Sequence, residues 1–448
     1  MGAGLEKVIA LIDGEHYVPV VAAGIEQLRR SFDVKAAVFL GGTEKVLDEQ
    51  AYDVGVPVIF DADPLRALER AIDEYGADRV FDLSDEPVVT YDDRMRLASH
   101  ALAKGAAYSG PDFDFRPPST DKAVGKPSVS IIGTGKRVGK TAVSAYIARE
   151  LKAKGLNPCV VAMGRGGPAS PELIRGEEVS LGPSELLEFV RQGKHAASDN
   201  VEDAVMARVT TVGCRRCGGG MAGEPFISNV REGAELADRL DAGILVFEGS
   251  GAALPPVKTD ATILVAGAGQ PVGHVAGFFG TYRLLLADLI CLTMCEEPVA
   301  SEEQIERMTA SIGSVRPDLP ILATVFRPRP IEPLECETVF FASTAPPAVL
   351  PRLSEYLEEE TGCRVVAASS NLSNRPMLRD DIAAAPDFDC LLTELKAASV
   401  DVATQVASEM GKRVVYCDND PVVLGEDPDA LRGAAVALAR RIAADKKE

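Results

Sequence analysis

One run constrains this chain more than any other stretch: Ser128-Val-Ser-Ile-Ile-Gly133-Thr-Gly-Lys-Arg-Val-Gly139-Lys140-Thr141. A β-branched apolar segment leads into a glycine-rich turn. The turn opens a helix that carries Val143, Tyr146, Ile147 and Leu151 on one face and ends near Gly155. Strand, loop and helix in that order predict a parallel α/β sheet, because parallel strands need a crossover between them. Glycines let backbone N–H groups turn inward, and a helix N-terminus adds positive potential, so the turn predicts a phosphate-binding loop. Lys140 is expected to reach the β and γ phosphates of ATP, and Thr141 to ligand Mg²⁺. Gly133, Thr134, Gly135, Val138 and Gly139 complete the expected nucleotide-binding wall, with Lys136 and Arg137 as further catalytic cations. Arginines are expected to face Lys140 across a gap.

At 448 residues the chain is too long for one core. Apolar runs alternate with amphipathic segments almost throughout, which predicts a P-loop NTPase-type parallel sheet core with an N-terminal α/β domain and a C-terminal α/β segment. The first segment covers residues 1–120, with strands at 7–13, 34–42, 56–61 and 79–85 and helices at 18–31, 64–75 and 92–104. It is read as a substrate lid or a dimerisation domain, and a homodimer is expected. Residues 108–126, with three prolines, read as a linker. The ATP-binding core covers 128–335, with further strands at 158–163, 243–247, 261–266, 289–294 and 320–326 around a long polar insertion at 164–230. Ser301-Glu-Glu-Gln304 reads as a capping box. The third segment, 336–448, is expected to hold strands at 337–343, 364–368, 388–393 and 413–417 and a last helix at 428–444, possibly continuous with the core.

Charge narrows the function. Lys and Arg number 47 against 67 Asp and Glu, a net charge of −20. Such a chain is not expected to bind nucleic acid or an anionic membrane nonspecifically, since both need basic surface. It must instead build a local basic pocket to hold a polyphosphate. Nine cysteines, several in apolar strand-like runs (Cys159, Cys291, Cys390, Cys417), predict small buried hydrophobes in a reducing, cytoplasmic setting. No basic-then-apolar signal opens the chain. The longest uncharged stretch, 261–282, contains five glycines and reads as strand, loop and helix start, not a membrane span.

Further candidates fall at predicted strand ends. Glu248-Gly-Ser-Gly251 follows an apolar strand, which places an acid where Mg²⁺ or its water is held in such sheets. Met163-Gly-Arg165-Gly-Gly167 offers a guanidinium and close backbone approach. Cys214-Arg215-Arg216-Cys217-Gly-Gly-Gly220 reads as a flexible anion-binding loop, since a lone C-x-x-C lacks the four ligands of a zinc site. Lys258 and Asp260 are placed at the border of the same site. Arg327-Pro-Arg-Pro330, after a later strand, is read as a stacking surface for adenine, with a proline-rich connector as the equal alternative. In the first segment, Asp13-Gly-Glu15-His16-Tyr17 and Asp82-Leu-Ser84-Asp85-Glu86 close two strands; Asp13, Glu15 and His16 are taken as substrate contacts, although strand-end acids also cap helices. His100, His195 and His274 each stand alone and are expected to be structural.

The loop departs from the strict spacing. The position five residues before Gly139 is Thr134, with Gly133 one place earlier. That longer form resembles the loop of dethiobiotin synthetase and its relatives. Together with Glu248-Gly-Ser-Gly251, the arginine pair, Asp13-Gly-Glu-His-Tyr17 and Leu392-Thr-Glu-Leu-Lys396, the chain resembles the cyclic 2,3-diphosphoglycerate synthetase family over nearly its whole length. The resemblance implies ATP-dependent closure of a phosphoanhydride within 2,3-bisphosphoglycerate, with ADP and phosphate released. Lys136, Arg137, Lys140 and Glu248 would then serve catalysis, with Arg165, Arg215, Arg216 and Lys258 on the substrate and Thr141 and Glu248 on the metal.

Two other readings fit parts of the pattern. A carboxylate-activating ligase of the dethiobiotin or cobyrinate synthetase type shares the loop spacing, but the chain lacks a C-terminal glutaminase arrangement of Cys and His. A partition-type ATPase switch would carry a second lysine five residues before Lys140. That position is Gly135, with Lys136 one step late.

Overall fold

A computed structural model describes residues 4–42, 52–120, 124–179, 181–193 and 196–446. His195, expected above to be structural, lies outside them. The chain forms two compact units. One comprises the chain through Pro118 with Pro271–Leu286 and Ser311–Pro317, and the other comprises Ser119–Gln270, Ala287–Ala310 and Asp318 onward.

The first unit is a six-stranded sheet built from β1 (Lys7–Ile12), β2 (Asp33–Phe39), β3 (Val58–Ile59), β4 (Arg79–Asp82), β5 (Ala107–Ser109) and β6 (Asp114–Phe115). Its order is β3-β2-β1-β4-β5-β6, parallel except for the last pair. Three helices follow from local signals: α1 (Val18–Leu28), α2 (Pro64–Tyr75) and α3 (Tyr91–Ala103). Asp63 caps α2 by accepting from Leu65 N at 3.0 Å and Arg66 N at 3.3 Å, with Pro64 in the first turn and left-handed Gly76 at the far end. Thr90 and Asp93 exchange hydrogen bonds in a capping box that starts α3. The expected linker at 108–126 is in part a β-pair, because Phe113 stacks between Tyr108 and Phe115 and folds β6 back on β5. Residues 121–123 lie outside the described residues.

The second unit is one long sheet. Its core strands are β7 (Ser128–Gly133), β8 (Pro158–Gly164), β10 (Thr210–Cys217), β12 (Ile244–Glu248), β13 (Ala261–Gly267), β14 (Leu289–Thr293) and β15 (Ile321–Pro330). They run in the order β10-β8-β12-β7-β13-β14-β15, all parallel, with β9 (Glu172–Arg175) and β11 (Ile227–Ser228) antiparallel to β10 at the edge. The order places the phosphate-loop strand in the middle. Helix α4 (Lys140–Ala153) buries Val143, Tyr146, Ile147 and Leu151, as its spacing predicts, in a core with Val129, Ile131 and Val246. Two short helices fill the polar insertion: α5 (Pro183–Arg191) and α6 (Asp199–Ala207), the second buried over most of its length.

The sheet continues past β15 through β19 (Arg413–Val423), β18 (Cys390–Glu394), β16 (Thr338–Ala342) and β17 (Arg364–Ser369). Strand β15 pairs with β14 only over Ile321–Ala323, then runs on for seven more residues against antiparallel β19. Thus Arg327-Pro-Arg-Pro330 is strand and not the connector loop read from sequence. Its prolines are tolerated because β14 ends at Thr293 and asks no N–H of them. The four C-terminal strands run opposite to the core, so their carboxyl ends point back toward the core's carboxyl edge.

Ser301 Oγ accepts from Gln304 N at 3.3 Å, but the Gln304 amide donates to Ala268 O at 3.1 Å, so half of the expected capping box forms. The nine cysteines are free, and Cys159, Cys291, Cys390 and Cys417 are buried. Among the described residues no helix is long and apolar enough to cross a membrane.

Candidate active site

Residues 133–141 form the bend from β7 to α4. Two positions need unusual backbone: Arg137 (φ 64°) and Gly139 (φ 82°). Gly139 is doubly constrained, because a Cβ built there would lie inside the Phe326 ring. The loop is braced from β13, the turn that follows it, and β14. Thr134 N donates to Val265 O at 3.1 Å and its hydroxyl to Gln270 Oε1 at 2.5 Å. The hydroxyl of Thr293 donates to Val138 O at 2.9 Å. Val138 is buried, Thr134 and Gly135 are half-buried, and Lys136 and Arg137 are exposed.

Lys140 folds back over Gly133, where a Cβ would stand 2.8 Å from its Cδ. It is only 8 % exposed. Its surroundings are nevertheless charged and not apolar. Burial pushes its ammonium below the usual lysine range; Glu248 and Asp199 oppose that shift, and Arg165 and Arg216 add to it.

Glu248, paired in register with Ile131, ends β12 beside the loop. Its Oε1 accepts from Thr141 Oγ1 at 2.7 Å. Facing it is the first turn and a half of α6, which supplies Asp199, Glu202 and Asp203. Asp203 is fully buried and stands within hydrogen-bonding reach of Glu248. Neither oxygen of Asp203, nor Glu248 Oε2, has a hydrogen-bond donor. Burial first, and the neighbouring acids second, hold both carboxyls above the usual range. Two carboxyls so placed need a proton or a cation between them. Glu202 is pushed up to about 8 by burial, against the pull of Lys396, whose Nζ lies 3.1 Å from Glu202 Oε1.

Arg165 and Arg216 close the other side. A Cβ on left-handed Gly251 would lie 2.5 Å from Arg165 Nη2 and 3.4 Å from Arg216 Nη2. Arg216 donates to Ser250 O and Gly218 O, each at 2.6 Å, while its Nε lacks a partner. Burial, then Arg165, lowers its pKa. Three cations therefore converge here and raise one another's cost, an arrangement that asks for an anion of high charge.

Several sequence expectations change. The Cys214–Cys217 segment is strand β10, not a flexible loop. It pairs through Gly213, which has no side chain because Asn200 of α6 packs against it. Consecutive strand residues face opposite ways, so Arg216 is buried at the site while Arg215 is exposed on the other face. Lys258 is exposed. It lies two residues from Asp260, which accepts from Ser128 N at 2.9 Å and pairs with Lys446 at the amino edge of the sheet. That edge is a strand's length, about 16 Å, from the loop. The Arg327 guanidinium is already engaged: it is bidentate to Glu296 at 2.7 and 2.9 Å and lies over Tyr356.

In the first unit, Asp13 is fully buried and accepts from Glu15 N, His16 N, His16 Nδ1 and Asp85 N, at 2.6–3.2 Å. Asp82 accepts likewise from Ser84, Arg94 and Tyr108. These carboxylates tie together the ends of β1 and β4. His100 pairs with Glu69 at 2.7 Å.

Residues missed by sequence reasoning are Asp199, Glu202, Asp203, Gln270 and Phe326. The spacing of the three acids, i, i+3 and i+4 after Ser198, was the available signal. The Leu392-Thr-Glu-Leu-Lys396 run gains a location. Glu394 ends β18 and accepts from Ser343 Oγ, Thr344 N, Thr344 Oγ1 and Asn419 Nδ2 at 2.6–3.2 Å, and Lys396 just beyond it reaches α6.

Three family models cover the chain: cyclic 2,3-diphosphoglycerate synthetase N-terminal domain at residues 7–116, P-loop domain at 128–325 and C-terminal domain at 330–420. The cyclic 2,3-diphosphoglycerate synthetase of Rubrobacter xylanophilus is 54 % identical over 433 residues, covering 96 % of this chain and 98 % of that protein. That of Methanothermobacter thermautotrophicus is 51 % identical, covering 98 % and 97 %. That of Methanothermus fervidus is 50 % identical, covering 97 % and 96 %. A phosphate loop on the middle strand, three cations converging on it, and this likeness from end to end make the chain a member of the cyclic 2,3-diphosphoglycerate synthetase family, an ATP-dependent ligase.

Proposed function

We propose that this chain converts 2,3-bisphosphoglycerate to cyclic 2,3-diphosphoglycerate, with ATP as phosphoryl donor and ADP and phosphate as co-products. The observation that carries the reading is the convergence of Lys140, Arg165 and Arg216 on the carboxyl edge beside the phosphate loop. In a chain of net charge −20, such a pocket is built against the surrounding field and suits a polyanion.

The route has two displacements. One substrate phosphate attacks the γ-phosphorus of ATP, forming a P–O–P anhydride while ADP leaves. The second substrate phosphate then attacks the phosphorus of the activated phosphate within the same molecule. The ring closes, and the former γ-phosphoryl group departs as phosphate. Both steps bring anions together, so cationic side chains must offset their repulsion. Lys140 would hold the transferring group, and Arg165 and Arg216 the substrate phosphates. Holding the substrate curled converts ring closure into a favoured encounter, a proximity effect of up to about 7 kcal/mol or more in good cases. Lys136 and Arg137 stand exposed on the loop, available to a second anion. Thr141 and Glu248 fit a Mg²⁺ ion, which when bound would neutralise charge on the β and γ phosphates.

The test is phosphorus NMR of ATP and 2,3-bisphosphoglycerate with the protein. A new anhydride resonance growing in step with ADP is the expected result. ADP release that needs a carboxylic acid and no bisphosphoglycerate would move the chain to the carboxylate-activating class.

A further inference from the structure

We propose that Asp203 is a third protein group of the divalent-cation site, acting with Thr141 and Glu248. The inference rests on the reading that the loop holds a nucleotide with its cation. It starts from an imbalance among four acids gathered at one place.

Asp199, Glu202, Asp203 and Glu248 lie within electrostatic reach of one another, and three of them have a visible reason to be tolerated. Glu202 is ion-paired with Lys396 at 3.1 Å. Glu248 accepts from Thr141 at 2.7 Å, and Lys140 lies within the electrostatic reach of Glu248 and Asp199. Asp203 is the exception. It is 0 % exposed, and both of its oxygens lack a donor. It faces Glu248, whose second oxygen also lacks one. Three unclaimed carboxylate oxygens in a water-poor interior, beside a loop threonine, are the donor set of a hard cation.

The numbers suit Mg²⁺ in particular. Among the described residues no three His, Cys, Asp or Glu side chains form a cage for a metal. Mg²⁺ does not use one; it takes one or two carboxylates and completes its octahedron with phosphate oxygens and water. Two carboxylates and a hydroxyl at the mouth of a phosphate loop meet that demand. The rival role for Asp203 is that of a neutral carboxylic acid donating to Glu248.

Asp203→Asn separates the two, because asparagine keeps the size and the donor but loses the charge. Mn²⁺ binding would be measured by electron paramagnetic resonance with a non-hydrolysable ATP analogue at saturation. The nucleotide's own affinity would be measured in EDTA. Expected is a Mn²⁺ affinity at least tenfold weaker in D203N, as for loss of a group supporting a metal, with EDTA affinity within twofold of wild type. Unchanged Mn²⁺ affinity in folded D203N overturns the inference. If D203N does not fold, wild-type protein labelled with ¹³C-aspartate carries the test. Electron–nuclear double resonance of its Mn²⁺ complex should show an aspartate carboxyl coupling that persists in Asp199→Asn, and its absence overturns the inference. A wild-type protein that takes no nucleotide in either buffer overturns the functional reading itself.

Discussion

Replacing Gly251 by alanine is the sharpest probe of the cationic pocket. The new Cβ would stand 2.5 Å from Arg165 Nη2, about 0.9 Å inside the 3.4 Å of ordinary contact. The guanidinium is the far end of a flexible chain, so it can yield without disturbing the core. The remaining cost to stability is the left-handed backbone at φ 63°, about 1–2 kcal/mol for a residue with a Cβ. Catalysis should suffer more than folding. A displacement of about 1 Å in a positioning group can cost on the order of 100-fold in rate. We expect kcat/KM for 2,3-bisphosphoglycerate to fall about 10- to 100-fold, equivalent to about 1.4–2.7 kcal/mol of transition-state stabilisation. The affinity for ATP should change less than threefold, and thermal denaturation should remain cooperative. The assay is ADP release against substrate concentration, with the cyclic product counted by phosphorus NMR. Folded G251A with kcat and KM both within twofold of wild type would show that Arg165 touches nothing that reacts.

Other substitutions probe neighbouring parts. Arg216→Ala should raise the substrate KM or lower kcat by at least tenfold, whereas Arg215→Ala, on the opposite strand face, should change either less than threefold; equal effects would contradict the alternation of β10. Lys140→Met should abolish turnover and yet raise the melting temperature of the nucleotide-free protein at neutral pH. The sign follows from linkage: with its pKa below 10.5 in the fold, Lys140 binds fewer protons folded than unfolded, so its burial costs stability at low and neutral pH and relents as pH rises through that window. A lower melting temperature in K140M, by differential scanning calorimetry, would reverse that sign. Lys396→Met strands Glu202 and should destabilise by about 2–3 kcal/mol in urea denaturation, less than the 3–5 of a fully buried pair because Lys396 keeps 27 % side-chain exposure. Adding Glu202→Gln should recover at least half of the loss, and an additive double mutant would refute the pairing.

What the sequence disclosed depended on how far each signal travels along the chain. Helix α2 could be bounded to the residue because its Asp63 cap, Pro64 and Gly76 are all local. The phosphate loop was equally legible, since strand, glycines and helix are contiguous. Strand β10 was hidden. Its Gly213 and two arginines mimic a loop, and only the packing of Asn200 from another element explains the glycine. Helix α6 was hidden for a related reason. Its burial comes from acids that find Lys396 nearly two hundred residues downstream and Glu248 on a different strand. The Arg327 segment misled in the opposite direction, because two prolines disfavour a strand except where one edge lacks a neighbour.

The reversal between β15 and β19 has a consequence for water. In an ordinary open parallel sheet the rim where ligands sit looks out on solvent. Here the last four strands run the other way and bring their own rim, with Glu394 and Lys396, down onto the first. Hydrolysis competes with every activated phosphate that must wait for an internal nucleophile. A roof supplied by the same sheet would shield such an intermediate from one side without a moving part.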